Sequence, residues 1–142
     1  MAKNNRFNQW TLTILRIVLG VIFTYHGYIK LFAPGGFAGT VDFFTNIGII
    51  LPKFSALVVT VAEFFGGLLL LIGLLTRVTA FVLILEMLVA FFKVHIKQGF
   101  FISSQAYGYE YVLLILTVLL AILISGPGKL SLGKLFSGRN WR

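Results

Sequence analysis

The 142-residue chain is 58% hydrophobic and 11% charged, with a mean hydropathy of +0.97. A soluble domain carries roughly 25% charged residues, so this chain lacks the polar atoms to cover a water-exposed globule and reads as a single all-α integral membrane domain over residues 1–142. The absence of cysteine excludes a disulfide scaffold, a thiolate metal site and CxxC redox chemistry within the chain. The net charge of +8 flanks apolar runs, which points to anionic lipid headgroups rather than nucleic acid.

Four apolar runs are bounded by charges or turn residues. They cover about 10–31, 54–75, 78–96 and 107–125. Each is roughly 28–33 Å long as a helix, enough for the hydrocarbon core, and none alternates as a barrel strand would. A four-helix membrane bundle is therefore expected. The first run ends in His26 and Lys30 rather than in small residues, so it is read as a span and not as a cleaved signal.

Between the first two runs, Pro34-Gly35-Gly36 is followed by Phe37, Val41, Phe43, Phe44 and Ile47. This predicts a short amphipathic helix on the outer interface, ending near Gly48, with an irregular loop as the alternative. Leu75-Thr76-Arg77 predicts a tight hairpin between the second and third runs. A second external loop covers 98–107. After Gly126-Pro127-Gly128 comes a basic tail, 126–142, with Leu130, Leu132, Leu135, Phe136 and Trp141; it is read equally as a cytoplasmic-leaflet binder or as disordered. One side collects Lys3, Arg6, Arg77, Lys129, Lys134, Arg139 and Arg142; the other has Lys30, Lys53, Lys93 and Lys97, offset by Asp42. That bias places both termini in the cytoplasm.

Charges within the spans cost at least about 2.5–3.5 kcal/mol each when central, so each needs a partner or a job. Glu63 and Glu86 fall near the midplane, whereas His26, Lys30, His95 and Glu110 fall near the outer surface. At about 100° per residue, Arg16, Gly20, Phe23, Gly27 and Lys30 share one stripe. Ala56, Thr60, Glu63, Gly67 and Leu70 share another, small enough for close helix contact. Glu110, Thr117 and Ala121 form a line on the fourth run. Glu86, Ala90, Lys93 and Lys97 share a face with His95 opposite, which argues against one pocket using both Glu86 and His95. These placements predict an outer-leaflet polar pocket from His26, Lys30, Glu63, His95, Tyr109 and Glu110. The alternative is that these groups fix packing or meet headgroups. Arg16 and Glu86 are read as a structural ion pair, and the remaining tyrosines, with Trp10, as interfacial belts. No metal site is predicted, and two histidines make a haem a weak reading.

Several segments together resemble the DoxX family of small four-helix membrane proteins. They are Arg16 with Gly20, His26-Gly27-x-x-Lys30-Leu31-Phe32, Gly35-Gly36-Phe37, Glu63-x-x-Gly66-Gly67 and Gly73-x-x-Thr76-Arg77. Beyond these stand Met87-x-x-Ala90, His95, Gly99-Phe100-Phe101, Gly108-Tyr109-Glu110-Tyr111 and Gly126-Pro127-Gly128-x-x-Ser131-Leu132. Gly133 stands where relatives often have an acid, and Glu86 is not part of the pattern. The resemblance implies a redox-associated, quinone-linked subunit of a prokaryotic plasma membrane, because relatives include subunits of thiosulfate:quinone oxidoreductase. A quinone is thus the cofactor it suggests, with electrons supplied by a redox protein partner, since the chain shows no carrier of its own. The main alternative is a non-catalytic scaffold or assembly factor, or a homo-oligomer, docking through the Glu86 face and the small residues of the second run. Transport by four spans without a repeat is the weakest reading.

Overall fold

The computed structural model describes residues 2–103 and 108–133, with side chains from residue 8 onward. Five α-helices follow one another: α1 (Ala2–Phe32), α2 (Gly36–Asn46), α3 (Pro52–Ile72), α4 (Thr76–Lys93) and α5 (Glu110–Ser125), with a 3-10 turn, His95–Gln98, before the last. Among the described residues there is no strand. The expectations for Tyr107 and for most of the basic tail lie outside them.

Local chemistry sets the helix boundaries. Gly35, at φ 73°, separates α1 from the short amphipathic α2, which lies where the sequence predicts it. Pro52 opens α3, a position where its missing N–H costs nothing. At the other end of α3, Gly73 adopts the left-handed conformation, and the amides of Gly73 and Leu74 both close on the Leu69 carbonyl. Thr76 then begins α4, so the hairpin turn covers 73–75, slightly earlier than predicted.

The most extensive packing joins α1 to α3, and the next joins α4 to α5. The α1–α3 contact is antiparallel and rests on glycines. A Cβ on Gly27 would stand 2.3 Å from Phe64 N, and one on Gly20 would stand 2.8 Å from Leu71 Cγ. Backbones can approach this closely only where side chains are missing. The buried positions of α3 are Ala56, Thr60, Glu63, Gly66, Gly67 and Leu70, the face that helical periodicity selects. Leu19 and Phe23 of α1 join Leu70, Leu83, Ile84 and the Val112, Ile115, Leu116, Leu119, Ile122 face of α5 in one core. The line Glu110, Thr117, Ala121 is not that inward face. Thr117 is exposed and returns its hydroxyl to the Leu113 carbonyl, because branched aliphatics fill the interior instead.

Apolar residues also cover the outside. Ile14, Val18 and Val21 on α1, Phe65 on α3, Phe81 on α4 and Leu114 on α5 are all exposed. A continuous apolar exterior of this extent suits lipid rather than water. Among the described residues two helical segments, Asn8–Phe32 and Pro52–Ile72, are long and apolar enough to cross a membrane; α5 is apolar but shorter.

The end of the fold near Gly73 is closed by the segment after α5. Ser131 donates its hydroxyl to the Gly73 carbonyl at 2.7 Å, and the Lys129 amide donates to Thr13 Oγ1 at 2.8 Å. Arg16 is fully buried there and donates from Nη2 to the Leu130 carbonyl. Its charge faces the C-terminal end of α3, where unpaired carbonyls concentrate negative potential. The expected Arg16–Glu86 ion pair does not form; the guanidinium meets the Leu130 carbonyl through Nη2, while its buried Nε and Nη1 have no hydrogen-bond partner.

Candidate functional site

Helix geometry explains how a lysine near the end of α1 reaches a carboxylate in the middle of α3. The α1–α3 register sets Gly20 against Leu71, Thr24 against Gly67 and Gly27 against Phe64, which carries Lys30 to the level of Val61. Side chains on a helix lean toward its N-terminus. Lys30 thus leans inward and forms an ion pair with Glu63, whose side chain is 6% exposed against 21% for the lysine. Lys30 consequently belongs to the interior, not to the surface that its distance from the span's end suggests.

Beside this pair lies a cavity of about 930 Å³. Its walls are mostly aliphatic and aromatic, drawn from all five helices, with Phe43 and Phe44 of α2 and Val59 and Ala62 of α3 among them. The polar groups reaching it are few: His26 and Lys30 from α1, Ser55 and Glu63 from α3, Glu86 and Lys93 from α4, His95 from the 3-10 turn and Tyr111 from α5. Glu86 lies within side-chain hydrogen-bonding reach of Glu63, and its Oε2 has no partner. A large apolar volume with a small convergent polar set is the usual form of a small-molecule site.

Of the six sequence-predicted pocket residues, His26, Lys30, Glu63 and His95 line this cavity. Tyr109 and Glu110 do not. The Glu110 carboxylate accepts the Ile102 amide at 2.7 Å, and its own amide donates to the Phe100 carbonyl. Tyr109 is held edge-on between Phe91 and Phe100, at 5.5 and 5.2 Å between ring centres. Both residues thus fasten the segment 99–103 to the start of α5.

Glu86 and His95 share the cavity, contrary to the helical-wheel expectation. The reason is local. Helix α4 ends at Lys93, Val94 departs to φ −115° and ψ −62°, and His95 opens a 3-10 turn. Beyond Lys93 the angle per residue of an α-helix no longer applies. Sequence reasoning also missed Glu86 itself and the part played by α2 as a wall. The available signal for Glu86 was its distance from the hairpin, which matches that of Glu63 and sets the two acids level on neighbouring helices.

These features define an all-helical, membrane-associated protein with a lipophilic cavity and a charged floor. A family model described as DoxX matches residues 11–96, and the chain belongs to the DoxX family. It is 35% identical over 119 residues to a Bacillus subtilis (strain 168) protein named "Putative oxidoreductase CatD", covering 84% of this chain and 82% of that one. It is also 33% identical over 142 residues to an uncharacterized protein of Haemophilus influenzae, covering 96% and 98% of the two chains. No solved structure matches it.

Proposed function

We propose that α1, α3, α4 and α5 cross the plasma membrane as a four-helix bundle, with both termini in the cytoplasm and α2 on the outer interface. In this reading the cavity opens toward the outer leaflet and binds a quinone, and the protein is the membrane subunit of a quinone-linked oxidoreductase. The observation that carries it is the Lys30–Glu63 pair, with Glu86 beside it, at the floor of an otherwise apolar cavity of about 930 Å³. Those dimensions suit a lipophilic ring and the start of an isoprenoid tail, and the polar groups suit its oxygens. The relative named as an oxidoreductase supports the redox association.

In such a complex His26 and Lys30 offer donors to a ligand oxygen, the aliphatic walls exclude water, and Phe43 and Phe44 cover the ligand from the side of α2. A bound quinone would supply reversible two-electron, two-proton chemistry, with electrons delivered by a partner protein. The scaffold reading is weaker, because the surfaces it requires are used within the chain. The small residues of α3 pack on α1, and Glu86, Ala90 and Lys93 line the cavity.

Native mass spectrometry of the gently solubilised protein, paired with its absorption spectrum, tests the proposal. Retention of a quinone by the native chain, and its loss from Ala62→Trp, is the expected result. Retention of phospholipid alone would overturn it.

A further inference from the structure

Glu63 and Glu86 share one half-buried ammonium, that of Lys30, while the other lysine of the cavity wall, Lys93, is exposed. In a low-dielectric surround that set does not balance if both acids are charged. Lys30 neutralises Glu63. Glu86 lines the same cavity as Glu63, and an ionised carboxylate can only accept hydrogen bonds, so a bond between the two carboxyls requires a proton. Two adjacent acids in one apolar site share protons for the same reason, since like charges at contact cannot both ionise cheaply.

We propose that Lys30, Glu63 and Glu86 form a proton-sharing triad, in which Glu86 carries an exchangeable proton donated to the Glu63 carboxylate. The triad then has no net charge, which is what an apolar interior demands. The Lys30–Glu63 pair positions the proton, and Oε2 of Glu86, buried with no donor to stabilise a negative charge, favours the protonated form. The other titratable groups on the cavity wall are His26, Lys93, His95 and Tyr111. None of them is a carboxyl, so none contributes to a carboxylic C=O signal.

The use of this proton by a ligand rests on the reading of the cavity given above. When a ligand oxygen gains electron density, the O–H bond of the Glu86 carboxyl breaks as the ligand O–H bond forms. The triad is left with one excess negative charge until a proton from the outer aqueous side restores it. No electron passes through the triad.

Infrared spectroscopy of the full chain, freed of quinone and held in an ester-free detergent, tests the triad by itself. Only four side-chain carboxyls exist in the sequence, Asp42, Glu63, Glu86 and Glu110, so the carboxylic C=O band is assignable. At neutral pH the native chain should show this band, sensitive to deuterium exchange, with the area of one carboxyl. Glu86→Gln should abolish it. Glu63→Gln should abolish it too, because Glu86 must then ionise to neutralise Lys30. Lys30→Gln should raise it about twofold, since two acids without a cation both keep protons. The absence of the band from the native chain, its survival in Glu86→Gln, or no growth in Lys30→Gln overturns the proposal. The native measurement decides even if a variant does not fold. A chain that shows the band but retains no quinone keeps the triad and loses the quinone reading, and the converse result loses the triad alone.

Discussion

Gly67 of α3 lies against the backbone of Thr24 of α1, so close that a Cβ at position 67 would stand 2.3 Å from Thr24 N. The contact fixes the register in which Lys30 meets Glu63. A methyl group there forces the two backbones apart. Gly67→Ala should therefore destabilise the fold by about 1–3 kcal/mol, as overpacking of a tight contact does. Thermal unfolding in detergent measures this, and an unchanged midpoint would show that the helices separate without cost.

The turn at Gly73 supports a second prediction. Its φ of 73° is strained for any side chain, and a Cβ would land 1.9 Å from Arg16 Nη1. Gly73→Ala should cost more than Ser131→Ala, which removes one 2.7 Å hydrogen bond worth about 1 kcal/mol. Comparing unfolding midpoints of the two variants checks the order.

Glu110 is assigned a loop-fastening role, and its variant should behave accordingly. Glu110→Ala frees the Ile102 amide, at a cost of about 1 kcal/mol for a solvent-accessible bond. Hydrogen exchange at Ile102 should accelerate about fivefold. Ligand retention should stay unchanged, because Glu110 does not line the cavity. Loss of ligand in this variant would return Glu110 to the binding site.

His95 offers the converse case. It lines the cavity from outside the regular part of α4. His95→Ala should weaken ligand retention about tenfold, the worth of one hydrogen bond to a bound ligand. Native mass spectrometry across a ligand titration reads this effect, and unchanged retention would place His95 outside the binding site.

The spacing of Ala56, Thr60, Glu63, Gly67 and Leu70 was enough to identify the buried face of α3, because helical periodicity is a local property. The stripe of Arg16, Gly20, Phe23 and Gly27 was legible on α1 for the same reason, as was the amphipathic α2 between its glycines. Charge partners were not legible in this way. Arg16 found the Leu130 carbonyl instead of Glu86, since the chain after α5 returns over the end of α3 and brings Leu130 to it. Nothing in the spacing of residues sets that path.

Composition and periodicity alone determined an apolar helical chain, its inward faces and the acids that needed an explanation. Only the tertiary structure decided that Lys30 reaches inward to Glu63, that Glu86 joins them and that His95 turns into the same cavity. Periodicity fixes a residue's angle on its own helix. Its neighbours depend on the register between helices and on where each helix stops, and here those were set by the glycine contacts of α1 with α3 and by the end of α4 at Lys93.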